Sequence, residues 1–271
     1  MSNSEIPNNV EYDPDELDDL TILRLTQQIK DDEAQKSPLV GDLKPMTELL
    51  DQYEDPLFRS KMKTLGSANA SYRPVRGDGN CAWRAFAFRY FEILRELPKA
   101  QIEFEMTCLQ SRTILLDMAG YSEAAYGDFL EETFTVFGKL SNMTINDLVV
   151  EFNNMEVSSA IIVHFRLLAA AYVKTHAEDY MPFIDDGDGV DIDSYCSRRI
   201  EAFAVEADHL ALSALVNSLG VIDLGVVYMD RSANEEAVVH SFSPSEAMDL
   251  HPELWKIDLL YRPGHYDIFY R

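Results

Sequence analysis

The order of the secondary-structure signals along this 271-residue chain constrains its fold more than any other feature. Residues 81 to 97 form a strongly apolar run with helical character, and helical patterns dominate from residue 100 to residue 176. Strand-like segments come last, at residues 221 to 229, 256 to 262 and 265 to 270. Because helices precede these strands, and no internal repeat or long linker divides the chain, the sequence predicts an α+β fold with a helical lobe followed by a C-terminal sheet.

The N-terminal segment differs in composition from the rest of the chain. Residues 1 to 12 are polar and acidic, with too few apolar side chains to offset the entropy of ordering them, so we expect a flexible tail. Asp13 and Pro14 suit an N-cap and a first helical position, which predicts a helix over about residues 14 to 35. Two apolar stripes follow different faces of this helix, Leu17, Leu20 and Leu23 in one and Ile22, Leu25 and Ile29 in the other. Either both stripes pack on the body of the protein, or one binds a partner.

The charge balance restricts the class of partner. The chain has 47 acidic and 23 basic residues, a net charge of -24. Such a surface repels the phosphates of nucleic acids and anionic lipids, which favours a basic or neutral protein as partner. The longest apolar stretch, residues 160 to 173, is interrupted by His164 and Arg166 and is shorter than the roughly 20 residues of a membrane span. We therefore expect a protein that binds neither nucleic acid nor membrane.

The cysteines and the acidic segments indicate the compartment and argue against bound metal. Cys81, Cys108 and Cys196 form neither an even disulfide framework nor a Cys-x-x-Cys pair. The acidic N-terminus is unlike a secretory or mitochondrial leader, so we expect a reducing compartment, the cytoplasm or the nucleus. The acidic segment at residues 185 to 191 lacks the ligand spacing of an EF-hand, which favours a solvated turn.

A thiol lies where the predicted helix at residues 81 to 97 begins. Unpaired N–H groups and the helix dipole at that position favour the thiolate, the reactive form of Cys81. Gly77 and Gly79 allow the preceding turn to direct its N–H groups toward a developing oxyanion. Cys81 is therefore a candidate nucleophile, although a lone cysteine at the start of an apolar helix is more often a small core residue.

His265 is the candidate general base. A strand places His265 and Asp267 on the same face, where the carboxylate can hold the imidazole in one tautomer. Asp208 and His209 are the alternative pair, but adjacent strand residues point in opposite directions and Asp208 suits a helix N-cap. Four further histidines have no acid at useful spacing and are expected in the core or on the surface: His164, His176, His240 and His251.

Two segments together resemble the ovarian-tumour-domain (OTU) deubiquitinases, and the otubain branch in particular. They are Asp78-Gly79-Asn80-Cys81-Ala82-Trp83-Arg84-Ala85-Phe86 and Tyr261-Arg262-Pro263-Gly264-His265-Tyr266-Asp267-Ile268. Shorter similarities at residues 37 to 40, 206 to 209 and 228 to 231 extend the resemblance over about residues 15 to 271. Ala82-Trp83 stands where this branch usually has Phe-Tyr, a difference that removes no group from the triad.

The resemblance implies a papain-like cysteine protease fold with a mainly antiparallel C-terminal sheet. It implies hydrolysis, without cofactor or metal, of the isopeptide bond that follows the C-terminal Gly-Gly of ubiquitin. In this scheme Cys81 is the nucleophile, His265 the base and Asp267 the orienting acid, while Asp78 supports the oxyanion hole. The resemblance also implies a preference for polyubiquitin of the lysine-forty-eight linkage, and inhibitory binding of ubiquitin-charged conjugating (E2) enzymes.

The resemblance suggests a division of the chain and leaves two alternative functions open. Residues 1 to 35 are interpreted as an acidic tail and an amphipathic, ubiquitin-binding helix, and residues 36 to 271 as the OTU catalytic domain. The chain could instead serve chiefly as a binding and inhibitory module for E2 enzymes and ubiquitin. A third hypothesis is a transferase of papain-like fold, such as a transglutaminase, which uses the same thiol chemistry but accepts amines.

Overall fold

The computed structural model of the protein describes residues 37–50, 55–65, 70–184, 189–229, 237–245 and 254–271. The predicted arm of residues 1 to 35, His251 and most of the acidic segment at 185 to 191 lie outside these residues. Pro38 to Arg271 group into one unit, which contains every candidate catalytic residue.

Six strands form one sheet in the order β1-β2-β6-β5-β3-β4 within the described ranges. They are β1 (Lys44–Pro45), β2 (Ser71–Arg73), β3 (Ile222–Tyr228), β4 (Val238–Phe242), β5 (Trp255–Arg262) and β6 (His265–Tyr270). Neighbouring strands are antiparallel except for β3 and β5, which run parallel. The expected mainly antiparallel sheet is confirmed, and the structure adds β4 and the N-terminal strand β1 and pairs β2 with β6.

Most helices lie between β2 and β3 in the chain, as the sequence predicts. They are α1 (Met46–Leu50), α2 (Pro56–Leu65), α3 (Cys81–Arg95), α4 (Lys99–Ser111), α5 (Thr113–Met118), α6 (Glu123–Lys139), α7 (Ile145–Asn153), α8 (Met155–Thr175), α9 (Ala177–Ile184), α10 (Ile192–Tyr195) and α11 (His209–Leu219). A 3₁₀ turn (Leu140–Asn142) follows α6, and a π-helical turn (Cys196–Glu201) follows α10. The sequence prediction did not include α9, α10 or the π-helical turn.

Helix α8 is the long apolar helix of the core. It has 21 residues, so it extends beyond the apolar stretch recognised in the sequence and is long and apolar enough, by length and composition alone, to cross a membrane. However, α6 and α11 pack along it, and most of its side chains are buried inside the protein. Phe165 on α8 meets Phe86 on α3 edge to face, at 6.1 Å between ring centroids. The apolar surface of α8 is thus already covered by protein.

Helix α3 and strand β6 carry the two ends of the candidate site. Helix α3 is apolar on nearly all sides and is buried between α8 and the sheet, where it packs on β6. Strand β6 follows β5 through a tight turn in which Arg262 pairs with His265. Gly264 in this turn has φ +74°, a left-handed conformation that glycine adopts readily. Packing of α3 on β6 brings Cys81 to the same end of the domain as His265.

Candidate active site

Cys81 is the first residue of α3 and is 2% exposed. The preceding residue, Asn80, occupies the N-cap position but makes no side-chain capping hydrogen bond to the helix. Within the described part of the chain, the backbone amides of Gly79 and Cys81 have no hydrogen-bond acceptor. Amides at a helix N-terminus attract negative charge, so this position suits both a thiolate and an oxyanion.

His265 lies between Asp267 and Cys81. Its Nε2 atom is 2.8 Å from Oδ1 of Asp267, and Cys81 lies close enough to the ring to raise its pKa. The remaining ring nitrogen, Nδ1, faces the loop before Cys81, because a Cβ atom added to Gly77 would lie 3.1 Å from it. Burial lowers the pKa of His265, but its interactions with Asp267 and Cys81 outweigh that effect and raise the pKa to about 9. The imidazole is therefore protonated at neutral pH and lies beside the thiol group of Cys81.

Asp267 is fully buried and accepts hydrogen bonds from three directions. Its Oδ1 atom accepts from the Val75 amide at 3.0 Å as well as from His265, and its Oδ2 atom contacts Arg262. Burial raises the pKa of Asp267, but His265, Arg262 and the Val75 amide together lower it below the ordinary value. The carboxylate thus stays charged inside the protein and fixes the orientation of the His265 ring.

Asp78 stabilises the loop before Cys81 instead of contacting the reacting atoms. Both of its carboxylate oxygens accept from the buried guanidinium of Arg84, at 2.9 and 2.8 Å, and Oδ1 also accepts from the Asn80 amide at 3.0 Å. Arg84 donates in addition to Ser158 on α8, at 3.1 Å. Burial raises the pKa of Asp78, but Arg84 and the Asn80 amide outweigh it and lower the pKa. The carboxylate therefore fixes the turn immediately before the thiol.

The loop before Cys81 fits closely against the segment that follows the π-helical turn. Gly79 has φ +77°, and a Cβ atom added there would lie 2.0 Å from the carbonyl oxygen of Ala204. Ala204 itself has φ 62°, which is uncommon for a residue with a side chain. Only glycine therefore fits position 79.

The alternative pair, Asp208 and His209, is engaged elsewhere. Asp208 caps α11 by accepting from the Ala211 amide at 2.9 Å, and both of its oxygens accept from the Tyr195 hydroxyl. The His209 ring stacks on Tyr228, with Nε2 3.2 Å from the tyrosine hydroxyl. The structure therefore brings His265 to Cys81 and uses Asp208 as the predicted helix cap.

The other described histidines make structural contacts. His164 is buried on α8, its Nδ1 lies 3.1 Å from the Thr133 hydroxyl, and burial lowers its pKa to about 3. His176 stacks on Tyr172 at 3.9 Å between centroids. His240 lies on the exposed edge strand β4 beside Tyr228. None of the three contacts the candidate triad.

Sequence reasoning missed four side chains that surround the site. Arg84 and Arg262 hold the two carboxylates described above, and Arg166 contacts the loop before Cys81. Burial raises the pKa of Glu206 overall, and the charge of the nearby His265 partly offsets this by lowering the Glu206 pKa. The signal for Arg166 was present in the sequence, since a charged residue inside an apolar helix is rarely buried without a partner.

The described residues include no group of three or more His, Cys, Asp or Glu side chains that could hold a metal ion. All three cysteines are free. Burial raises the pKa of Cys196 to about 12, and burial together with Glu105 raises the pKa of Cys108. Neither of these two thiols is poised to ionise at neutral pH.

Comparison with known proteins assigns the chain to a family. The family model described as Peptidase C65 Otubain matches residues 32–271. The OVARIAN TUMOR DOMAIN-containing deubiquitinating enzyme 1 of Arabidopsis thaliana is 33% identical over 256 residues, which are 89% of this chain and 83% of that protein. The ubiquitin thioesterase OTUB1 of Homo sapiens is 30% identical over 273 residues, covering 100% of this chain and 94% of the relative.

Solved structures agree with this assignment. A complex of h/ceOTUB1 with ubiquitin aldehyde and UBC13~Ub superposes with a TM-score of 0.78 at 31% identity, covering 93% of this chain and 98% of that one. A second complex, with UBCH5B~Ub, gives a TM-score of 0.78 at 30% identity, with 93% and 97% covered. The expected OTU fold is thus confirmed. The chain belongs to the otubain family of cysteine-type deubiquitinases.

Proposed function

We propose that this otubain hydrolyses the isopeptide bond between ubiquitins with Cys81 as nucleophile, His265 as acid and base, and Asp267 as the orienting group. The observation that carries the proposal is the 2.8 Å contact between Asp267 and His265, with the His265 ring next to Cys81 at the N-terminus of α3. The protonated imidazole and the uncapped helix N-terminus both favour the thiolate.

The reaction begins with attack of the Cys81 thiolate on the carbonyl carbon that follows the Gly-Gly of ubiquitin. The new S–C bond moves the carbonyl electron pair onto oxygen, which the amides of Cys81 and Gly79 stabilise. The C–N bond then breaks, and the His265 imidazolium gives its proton to the departing lysine amine. A thioester of ubiquitin on Cys81 and a neutral imidazole remain.

Water completes the cycle. His265 removes a proton from the attacking water, and the tetrahedral intermediate expels the Cys81 thiolate. Ubiquitin leaves with a carboxylic acid that loses its proton to solvent, and the thiolate–imidazolium pair is restored. Throughout the cycle, Asp267 stays hydrogen-bonded to Nε2 of His265. Asp78 meanwhile keeps the loop that supplies the oxyanion-stabilising amides in place.

The proposed partners are ubiquitin chains and ubiquitin-charged E2 enzymes. Support comes from the solved relatives, which contain ubiquitin aldehyde together with UBC13~Ub or UBCH5B~Ub. We further propose a preference for lysine-forty-eight-linked chains, a ubiquitin-binding role for residues 1 to 35, and a location in the reducing cytoplasm or nucleus. The net charge of -24 suits partners whose contact surfaces are basic.

A second function, inhibition of E2 enzymes without catalysis, is favoured by the same complexes, because in them a charged E2 is bound alongside ubiquitin aldehyde. The two functions are compatible and separable. The Cys81→Ala protein should lose all hydrolysis and retain inhibition of ubiquitin transfer from the E2.

Incubation with diubiquitins of every linkage tests the main proposal. We expect the lysine-forty-eight-linked substrate to be cleaved fastest, and the Cys81→Ala protein to cleave none. Cys108→Ala is the matched control, because Cys108 lies on α4 and the same side-chain change should leave cleavage intact. Turnover by Cys81→Ala, or faster cleavage of another linkage, would contradict the corresponding part of the proposal.

A further inference from the structure

Arg166 is a fully buried cation in the middle of the apolar helix α8. A charged side chain in a core carries a large desolvation penalty, and an apolar residue of similar size is often more stabilising. Its Nε atom has no hydrogen-bonding partner among the described residues, so its polar contacts come from the two terminal nitrogens. What those two nitrogens hold therefore indicates what the arginine is for.

The terminal nitrogens of Arg166 join the loop before Cys81 to the π-helical turn and the segment that follows it. On the loop side, Nη2 donates to Oδ1 of Asn80 at 2.9 Å and lies 3.4 Å from the Gly79 carbonyl. On the other side, Nη2 donates to the Val205 carbonyl at 2.7 Å and Nη1 donates to the Ile200 carbonyl at 2.8 Å. One guanidinium thus spans both segments.

Asn80 is the link between this guanidinium and the nucleophile. It directly precedes Cys81, is 1% exposed, and its Oδ1 also accepts from the Ala204 amide at 2.9 Å. Its Nδ2 atom has no partner among the described residues, which is costly for a buried amide. The side chain of Asn80 therefore serves through its oxygen, as an acceptor shared by Arg166 and Ala204.

One more contact fixes the guanidinium itself. It stacks over the Trp83 ring in the first turn of α3, with 4.7 Å from Cζ to the ring centroid. Burial lowers the pKa of Arg166 to about 10, so the guanidinium remains charged at neutral pH. The cation is thus held rigidly beneath the residues that flank the thiol.

We propose that Arg166 is a positioning residue of the hydrolysis, which holds Gly79 and Asn80 so that the amides of Gly79 and Cys81 converge on the carbonyl oxygen of the substrate. This inference rests on the proposed function, because it requires Cys81 as nucleophile. A loop free to rotate would keep the thiolate–imidazolium pair but would lose the preorganised oxyanion donors, and transition-state stabilisation would fall with substrate binding unchanged.

The test compares two reactions of the same thiol in Arg166→Met and Arg166→Lys. With ubiquitin bearing a fluorescent leaving group, Arg166→Met should lower kcat by roughly 100-fold, as expected for a lost oxyanion donor, with KM changed by less than about 2-fold. Alkylation of Cys81 by iodoacetamide, followed by mass spectrometry, should keep its rate and its pH profile, because that displacement develops no oxyanion. The kcat of Arg166→Lys should lie between those of the wild-type protein and Arg166→Met. Lysine keeps the positive charge but lacks the planar guanidinium that donates to several acceptors at once.

His164→Leu is the matched control, because His164 is also buried on α8 and contacts Thr133 instead of the loop. It should lower the melting temperature and leave kcat unchanged. Two results for Arg166→Met would overturn the positioning role. One is a fall in alkylation rate as large as the fall in kcat, and the other is a kcat equal to that of the wild-type protein. If Arg166→Met does not fold, Arg166→Lys decides by the same comparison. Cys81→Ala, assayed in parallel, distinguishes failure of the proposed nucleophile from failure of the positioning role. An active Cys81→Ala protein would refute Cys81 as nucleophile. An inactive Cys81→Ala protein together with a fully active Arg166→Met protein would refute only the role of Arg166.

Discussion

Arg262 donates to Oδ2 of Asp267, on the side of the carboxylate opposite to His265. The two oxygens of Asp267 are therefore both used, one by the guanidinium and the other by His265 and the Val75 amide. In the proposed mechanism, this arrangement makes the carboxylate an anchor that keeps its charge and its rotamer while the imidazole exchanges protons.

We expect unequal losses when the base and its anchor are changed. His265→Ala removes the proton carrier and should lower kcat by roughly 10⁴-fold, whereas Asp267→Asn should lose roughly 10²-fold. The amide can still offer its oxygen to His265 and Val75, although its NH₂ then faces the donor Arg262. Steady-state kinetics on ubiquitin with a fluorescent leaving group measure both. If His209→Ala were the inactivating change instead, Asp208 and His209 would have to replace the assigned pair.

The pH dependence follows from the raised pKa of His265, about 9. Hydrolysis should fall on the alkaline side near that pH, as the imidazolium loses its proton. Because the folded pKa is raised, the stabilisation by this pair is fully present below the unfolded value of about 6.5 and is lost as pH rises through about 9. Profiles of kcat/KM and of melting temperature against pH check both effects. Asp267→Asn should move the alkaline limb to lower pH, and an unmoved limb would show that another group titrates.

A ubiquitin derivative with an electrophile in place of its terminal carboxylate should modify one cysteine. We expect the adduct on Cys81, beside the protonated imidazole, and none on Cys108 or Cys196, whose pKa values are raised. Mass spectrometry of the digested protein locates the adduct. Modification of Cys108 or Cys196 at a comparable rate would show that the nucleophile is misassigned.

Gly79→Ala should abolish hydrolysis, because the new Cβ would lie 2.0 Å from the Ala204 carbonyl and would push the oxyanion loop away. Gly120→Ala is the matched control, since Gly120 also has a left-handed φ, +85°, with no atom within 4 Å of the added Cβ. Both changes carry the backbone cost of about 1–2 kcal/mol, which melting curves will show. We expect kcat to fall in Gly79→Ala and to stay unchanged in Gly120→Ala. An active Gly79→Ala protein would mean that catalysis tolerates displacement of the loop.

Deletion of residues 1 to 35 tests the proposed ubiquitin-binding arm. Ubiquitin has an apolar patch framed by basic side chains, which an acidic helix with two apolar stripes complements. We expect weaker chain cleavage and weaker E2 inhibition, with little change in hydrolysis of ubiquitin carrying a small leaving group. A large fall in melting temperature, with equal damage to every substrate, would instead place the helix in the core.

The site could be predicted from sequence where its geometry is local. The period of a strand puts His265 beside Asp267, and the start of an apolar helix puts Cys81 at a row of free amides. The Val75 amide and the partners of Arg166 could not be found in this way, because the fold alone brings Val75 and Arg166 to residues 192 and 86 positions away in sequence. No local periodicity carries that information.

The position of β6 in the sheet has a consequence for biosynthesis. This strand pairs with β2 on one side and β5 on the other, although it follows every other described strand in the chain. Until the ribosome has released β6, a nascent chain therefore lacks both the strand that joins β2 to β5 and His265, the proposed partner of Cys81 in catalysis. A nascent chain that stops before β6 would therefore contain the described helices but not His265, and under the proposed mechanism it should not hydrolyse ubiquitin chains.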